Sequence, residues 1–137
     1  MVKQIWLNLP VKDVSKSEAF FKELGFSPIP YGASETSAGI MIGDNNFVVM
    51  LFQEQVFKSF IDSAVTDTAV ATEVLISIDA QSREEVDAWA QKVTTAGGNV
   101  FRQPAENNGW MYGCGFTDPD GHRWNVLYMD MEKMPGR

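Results

Sequence analysis

The sequence has few of the residues that build metal centres and disulfides. Among its 137 residues there is one cysteine, Cys114, and one histidine, His122. One cysteine excludes an internal disulfide and a cysteine-based zinc cluster, and one histidine excludes a site that needs two histidines of the same chain. A lone thiol is typical of proteins in a reducing compartment, so we expect a cytoplasmic protein.

Long apolar runs and positive charge are scarce as well. No stretch approaches the roughly 18 apolar residues of a membrane-spanning helix, and the N-terminus lacks the apolar stretch of a signal peptide. Eleven Lys and Arg stand against 18 Asp and Glu, a formal net charge of −7. Binding to phosphate backbones needs clustered cations, so we expect neither a nucleic-acid nor a membrane partner. The charge mildly favours neutral or cationic small ligands, or serves solubility alone.

The first half of the chain predicts one strand, one helix and three further strands. Apolar and polar residues alternate over 4–11, and Asp13 can cap a helix over 14–24 that stops at Gly25. The three following strands are expected near residues 26–31, 36–43 and 46–53. The connection over 54–71 is expected to contain at most one helical turn.

The second half repeats this order of elements. A strand is predicted over 73–79, followed by a helix that begins at a capping box of Ser82 and Glu85 and ends at a pair of glycines. The last three strands are expected near residues 99–104, 110–117 and 122–129, with a turn at Asp118-Pro119-Asp120-Gly121 before the last. The two helix caps are 82 − 13 = 69 residues apart, about half the chain.

The repeated order indicates a duplicated βαβββ unit. Neither half could bury the face of its sheet alone, so we expect a single domain over 1–137. Its two modules are predicted at about 1–62 and about 72–131.

Particular residues within this pattern resemble the vicinal oxygen chelate superfamily, which contains glyoxalase I, extradiol dioxygenases, and bleomycin- and fosfomycin-resistance proteins. The resemblance covers nearly the whole chain and is carried by Leu-Pro-Val-Lys-Asp at 9–13, Phe-Phe-Lys-Glu-Leu-Gly-Phe at 20–26, Ala-Gly-Gly at 96–98 and Phe-Thr-Asp-Pro-Asp-Gly-His-Arg-Trp-Asn at 116–125. Residues 72–87 look typical of a glyoxalase-like, lactoylglutathione-lyase-like branch. The resemblance implies an α+β fold in which two tandem βαβββ modules form a cup-shaped mixed sheet.

The resemblance also implies where a metal would be held, since metal-dependent members place one ligand on each of four strands. The corresponding positions here are Trp6, Met50, Glu73 and Asn125. Only Glu73 is a good ligand for a divalent ion, because tryptophan offers no donor, methionine suits soft metals and a neutral amide is weak. We therefore expect a degenerate metal site, without metal or other cofactor. By strand alternation His122 lies opposite Asn125 and does not replace a ligand.

The inner wall of the cup is expected to bind a small molecule. The predicted ligand-binding residues are Trp6, Asn8, Met50, Phe52, Glu73, Trp110, Tyr112 and Asn125. The phase of the strand that carries Trp110 and Tyr112 is left open, and residues 105–110 are expected to be either an ordinary loop or a flap over the cup. Trp6 and Met50 either line an open pocket or fill it as core. Cys114 is expected to be packed, not nucleophilic.

Glu73 is the only candidate catalytic residue. It could act as a general base or pair with a ligand cation, or be an ordinary carboxylate at a strand end. Three functions follow from these alternatives. The first is a metal-free binder that sequesters a drug or metabolite, the second a glyoxalase-like lyase or isomerase, and the third a non-catalytic scaffold. A homodimer is expected by analogy with the family, with Pro10 as a candidate hinge for exchanged N-terminal strands.

Overall fold

The computed structural model describes residues 1–136, which form two compact units over Met1–Asp67 and from Thr68 onward. The first unit contains β1 (Trp6–Val11), α1 (Val14–Glu23), β2 (Ser27–Pro28), β3 (Ser37–Ile42), β4 (Phe47–Gln53) and α2 (Glu54–Ile61). The second contains β5 (Leu75–Asp79), α3 (Arg83–Thr95), β6 (Asn99–Asn107), β7 (Met111–Thr117) and β8 (Arg123–Met129). The duplicated βαβββ order and the α+β class are confirmed.

The sheet of the first unit has the strand order β1-β4-β3-β2. Strand β1 runs parallel to β4, and the other pairs are antiparallel. Pro10 has no N–H to donate to a ladder, and it is accommodated because β1 lies at the edge of the sheet. Helix α1 covers one face, where Leu9, Val11, Val49 and Leu51 are buried.

Helix α1 begins and ends where the sequence predicts. The carboxylate of Asp13 accepts a hydrogen bond from the Lys16 amide at 3.1 Å, which satisfies one of the free N–H groups of the first turn. Gly25 follows the last turn with φ of 100°, a conformation that glycine adopts without strain.

The sheet of the second unit has the equivalent order β5-β8-β7-β6, with β5 parallel to β8. Its core is a stack of three aromatic rings between α3 and the sheet. The ring centroids of Trp89 and Phe116 are 6.5 Å apart, those of Phe116 and Trp124 5.9 Å, and both pairs are nearly parallel. Val86 and Val126 are fully buried beside this stack.

The N-terminus of α3 differs from the predicted capping box in one bond. The Ser82 hydroxyl accepts from the Glu85 amide at 3.1 Å, as predicted. The Glu85 carboxylate, however, accepts from the amide of Gln81 at 2.6 Å, one residue earlier than a reciprocal box requires. The two residues before the helix are therefore both tied to its first turn.

Three sequence boundaries were wrong. Helix α2 runs for eight residues, where at most one turn was expected. Strand β5 begins at Leu75, two residues later than predicted. Residues 105–107 continue β6, so 105–110 is neither a flap nor an ordinary loop. Asn108 and Gly109 turn the chain with φ of 58° and 79°, the left-handed conformation that Asn-Gly pairs favour in hairpins.

Among residues 1–136, no helix is long and apolar enough to cross a membrane.

Candidate functional site

The face of the first sheet opposite α1, here called the first open face, gathers the predicted residues of β1 and β4. Parallel pairing sets Trp6 beside Val48, Asn8 beside Met50 and Pro10 beside Phe52. Residues that are paired across a ladder point to the same side of the sheet. The predicted phase of both strands is confirmed, because the alternate residues of each strand form the buried core under α1.

This open face forms a hollow of about 830 Å³. Aromatic and methionine side chains supply half of its lining residues: Trp6, Tyr31, Phe47, Phe52, Met41 and Met50. Trp6 is 53% exposed, so its ring lines the hollow and does not fill a core. Within this unit, Trp6 and half-buried Met50 both line the hollow.

The polar groups of the hollow are the Tyr31 hydroxyl, three side-chain amides and one ammonium group. Gln4, Asn45 and Asn46 lie on its rim, and Lys3 is the one charged residue among its lining. A carboxylate that would attract a cationic ligand is therefore missing from the lining, although the net charge of the chain favours cations. Neutral or weakly acidic aromatic molecules match these groups better.

Helix α2 contributes an aromatic wall beyond Phe52. The Phe60 ring meets the Phe52 ring edge to face, with centroids 5.1 Å apart. Phe60 nevertheless remains 62% exposed. The apolar surface at this end of the first sheet thus extends past the strand residues named in the sequence analysis.

The equivalent face of the second sheet, opposite α3, is called the second open face. The register of β5 and β8 sets Leu75 beside Arg123 and Ser77 beside Asn125. The Asn125 amide donates to the Ser77 hydroxyl at 3.4 Å. The guanidinium carbon of Arg123 lies 4.3 Å from the centroid of the Phe101 ring, a cation–π contact. This face is more polar than the first.

Glu73 does not lie on a strand. It precedes β5 by two residues and is exposed, because the pairing of β5 with β8 starts only at Leu75. The structure therefore gives Glu73 no apolar enclosure of the kind on which its assignment as a general base depended. Its part in ligand binding stays a prediction.

Tyr112 and Trp110 do not join the other predicted residues. Tyr112 alternates with Gly113, shares its side of β7 with buried Cys114, and therefore points toward α3. Its hydroxyl donates to the Asp87 carboxylate at 2.6 Å, and this hydrogen bond raises the pKa of the phenol. Trp110 lies in the hairpin turn, where its carbonyl accepts from the Asp130 amide at 2.8 Å.

Cys114 is buried against α3. Its thiol lies 3.9 Å from the Val86 carbonyl, and burial raises the pKa of the thiol to about 11. A thiol with such a pKa stays protonated near neutral pH, and thiols react as thiolates. Cys114 is a packed residue, as expected.

The turn before β8 is organised by a buried carboxylate. Asp118 accepts from the amides of Asp120 and His122 and from the Trp124 indole at 2.9, 3.1 and 3.1 Å. Burial raises the pKa of Asp118, while the charge of His122 and these hydrogen bonds oppose the rise. Gly121 has φ of 79° and abuts Thr68, whose hydroxyl donates to the Asp120 carbonyl at 2.6 Å. The sequence places His122 in this structural turn.

The residues at the family's metal positions do not fit a divalent ion. Trp6 has no donor atom, Met50 offers a thioether, and Asn125 already donates to Ser77. Within residues 1–136 there is no group of three or more His, Cys, Asp or Glu side chains that could hold a metal ion.

A sequence profile described as the Glyoxalase/Bleomycin resistance protein/Dioxygenase superfamily matches residues 3–126. The chain belongs to this superfamily. The resemblance stated from the sequence is thereby confirmed at the level of the superfamily. No curated protein matches this chain at a significant level.

Solved structures with the same fold include proteins of several functions. A hypothetical protein from S. aureus is 35% identical, with a TM-score of 0.83 over 93% of this chain and 94% of that chain. A family enzyme from Burkholderia phytofirmans is 17% identical (TM-score 0.76; 89% and 94% covered). A variant of FosX, a fosfomycin resistance protein from Listeria monocytogenes solved with Mn(II) and 1S,2S-dihydroxypropylphosphonic acid, is 18% identical (TM-score 0.72; 100% and 100% covered). At such identities the last two show the fold alone.

Sequence reasoning missed several residues of the open faces. Tyr31 and Lys3 line the hollow although neither is among the predicted ligand-binding residues. Phe101 stacks with Arg123, and neither residue is among the predicted ligand-binding residues. The irregular register of β6, which shifts between Val100 and Ala105, explains why alternation could not place Phe101.

Proposed function

We propose that the protein binds a small, largely apolar molecule in the hollow of the first open face. The observation that carries this proposal is the hollow itself, about 830 Å³ with aromatic and methionine walls and amides at its rim. Such a combination of apolar wall and few polar groups is typical of small-molecule sites. Because the lining carries no acid–base pair, we propose holding of the ligand, as in sequestration, not its conversion.

The proposal predicts saturable binding of a neutral aromatic probe. Titration with the fluorescent amine N-phenyl-1-naphthylamine should give one site, and Trp6→Ala should weaken it about tenfold because a large aromatic contact is lost. Leu75→Ala is the matched control, since Leu75 is similarly exposed, at 55%, at the equivalent position of the second sheet. Absence of saturation, or equal weakening by both variants, would contradict the proposal.

We also propose that binding needs no resident metal. The donor set of Trp6, Met50, Glu73 and Asn125 supports this, because one carboxylate and one amide hold divalent ions weakly. Elemental analysis of the purified protein, before and after incubation with Ni²⁺ or Zn²⁺ and desalting, is expected to find well under one ion per chain. A stoichiometric ion that Glu73→Gln removes would overturn this part.

An enzymatic alternative is a lyase or isomerase reaction of the lactoylglutathione-lyase type, with Glu73 as the base. Its exposed carboxylate is accessible to a substrate, but it lacks the apolar surroundings that make a carboxylate an effective base at neutral pH. Turnover of the methylglyoxal–glutathione adduct by the wild type and not by Glu73→Gln would replace the binding proposal. The non-catalytic scaffold ranks lower, since the hollow is open.

We further propose a homodimer in the cytoplasm. Exposed apolar side chains on β1 and on the segment before it, such as Ile5 and Trp6, would be protected by a second copy. Strand β1 also lies at the edge of its sheet, a position at which a strand of a second chain can add to the sheet. Light scattering coupled to gel filtration should give twice the mass of the 15.3 kDa chain. A monomer at micromolar concentration would contradict the dimer and leave the ligand proposal to its own test.

A further inference from the structure

Two arginines of the second unit stack on aromatic rings, but only one of them has an acidic partner. Arg83 lies over Tyr112 at 4.9 Å, and its Nη2 forms an ion pair with Glu106 at 2.6 Å. Arg123 lies over Phe101 at 4.3 Å. Among residues 1–136 no carboxylate lies within ion-pairing distance of Arg123. Arg123 is therefore stacked on a ring as Arg83 is, but it lacks the carboxylate partner that Glu106 provides to Arg83.

The position of Arg123 is fixed by what lies beneath its partner ring. Phe101 packs flat on Gly115, where an added Cβ would lie 2.5 Å from the Phe101 Cζ. Glycine at this position therefore makes room for the ring, and the ring in turn supports the guanidinium. Stacking uses the face of the guanidinium and leaves its N–H edge free for a planar anion. A group held in this way loses little entropy when it binds.

The surroundings of Arg123 supply further donors and an apolar surface. Ser77 accepts from Asn125 at 3.4 Å, so its own hydroxyl hydrogen can be donated to a ligand. Leu75 pairs with Arg123 across the ladder and lies on the same face. A carboxylate at Arg123 would thus have the Ser77 hydroxyl and the Asn125 amide on one side and the Leu75 side chain for its hydrocarbon part.

We propose that the second open face binds small carboxylic acids with an apolar body, with Arg123 as the anion-binding residue. Two acidic residues flank β5: Glu73 precedes it, and Asp79 at its end accepts a hydrogen bond from the side-chain amide of Gln81 at 2.9 Å. Asp79 lies four residues beyond Leu75, about 13 Å along a strand, too far to neutralise Arg123 directly. All residues of this site belong to the second unit.

Benzoate is a suitable probe, with benzamide as its uncharged counterpart. Side-chain resonances of Arg123 and Asn125 in NMR spectra of the full chain should shift saturably with benzoate at concentrations up to about 10 mM. Arg123→Gln should weaken the binding about tenfold or more, since a charged hydrogen-bonded pair is lost. Added salt should weaken the binding too. Arg83→Gln is the matched control, because it removes an arginine that is stacked in the same way but already paired.

Three outcomes would overturn the proposal. They are the absence of saturable shifts with benzoate, equal binding of benzamide, and unchanged binding by Arg123→Gln in a protein whose circular dichroism matches the wild type. If Arg123→Gln fails to fold, benzoate binding is measured with Arg123→Lys instead. It keeps the charge but not the planar fork, so binding should fall severalfold and not vanish. Because the readout is at Arg123, failure here leaves the Trp6-dependent binding of the neutral probe untouched, and the reverse also holds.

Discussion

The two βαβββ units are alike on the side that faces their helix and different on the side that does not. Register makes Trp6 and Val48 of the first sheet equivalent to Leu75 and Arg123 of the second. Toward the helices both sheets carry fully buried apolar residues. The requirement to exclude water fixes the inner side of each sheet, whereas the open sides were free to acquire different chemistry, aromatic in one unit and cationic in the other.

One feature of the open faces is shared in spite of this divergence. Gly39 in β3 is paired with Met50 and covered by Ile29, and Gly115 in β7 is paired with Asn125 and covered by Phe101. In both sheets a glycine in the third strand leaves room for a large side chain from the second strand or the segment just after it. The duplication therefore preserved a packing device on the open side as well as the core.

The largest expected effect is on the free energy of unfolding, when a ring on the helix-facing side of a sheet is removed and compared with a ring on an open face. Trp124→Ala removes the end of the aromatic stack and the indole donor to Asp118, and should lower the free energy of unfolding by about 3–5 kcal/mol. Trp6→Ala, which truncates a ring that is 53% exposed, should lower it by less than about 1 kcal/mol. Urea unfolding followed by circular dichroism measures both. Similar losses would show that Trp6 is core and not pocket wall.

The shared glycines should respond next most strongly. Gly115→Ala and Gly39→Ala each force a large neighbour to move, at a cost of about 1–3 kcal/mol. Gly115→Ala should cost more, because it meets the flat Phe101 ring at 2.5 Å, whereas Gly39→Ala meets the flexible ends of Ile29 and Met50 at 2.6 and 2.8 Å. In a double-mutant cycle Phe101→Ala should relieve the cost of Gly115→Ala. Additive effects would show that the ring does not rest on the glycine.

The repeated architecture was predictable because its signals are local. The Asp13 and Ser82 caps, the glycines after α1 and α3, and the Asp118–Gly121 turn all act within a few residues. The alternation of β1, β4 and β8 predicted the buried side of each strand correctly. The boundaries that failed depend on pairing partners elsewhere in the chain. Residues 73–74 read as strand but find no place in the ladder with β8.

The candidate sites were predictable only in part. Family position and alternation placed Trp6, Met50 and Asn125 on the open faces. Alternation alone could not give the phase of Tyr112, since Gly113 and Gly115 interrupt the apolar pattern of β7 and carry no side chain to indicate a face. The partnership of Arg123 with Phe101 depends on the irregular register of β6, which no local pattern encodes.

Substitution of the N-cap residues of α1 and α3 tests whether the equivalent helices of the two units are stabilised to the same extent. Asp13→Ala and Ser82→Ala should each lower the free energy of unfolding by about 1 kcal/mol, because each leaves an N–H of the first turn unsatisfied. Ser82→Thr keeps the acceptor and should recover most of the loss. If only one alanine variant has an effect, the caps are not equivalent.

The smallest expected effect is a difference in the pH dependence of stability between the turn before β4 and the turn before β8. The turn at 43–46 is exposed, whereas Asp118 in the turn at 118–121 is buried, which raises its pKa above 3.8. The folded state then holds this proton more tightly than the unfolded state. The contribution of protonation to stability is therefore complete below about pH 3.8 and is lost as the pH rises through the raised pKa.

Asp118→Asn cannot titrate, so the stability of the wild type relative to this variant should fall as the pH rises through the raised pKa of Asp118. Asparagine also has fewer acceptor lone pairs, which destabilises the turn at every pH. Urea midpoints measured from pH 3.5 to neutrality, as the difference between wild type and variant, isolate the carboxyl from the other titrating groups. Asp44→Asn makes the same change of charge on the exposed turn. A difference that grows with pH for Asp118→Asn, in favour of the wild type, would mean that the three N–H donors and His122 outweigh burial, and that the turn is held by a charged carboxylate.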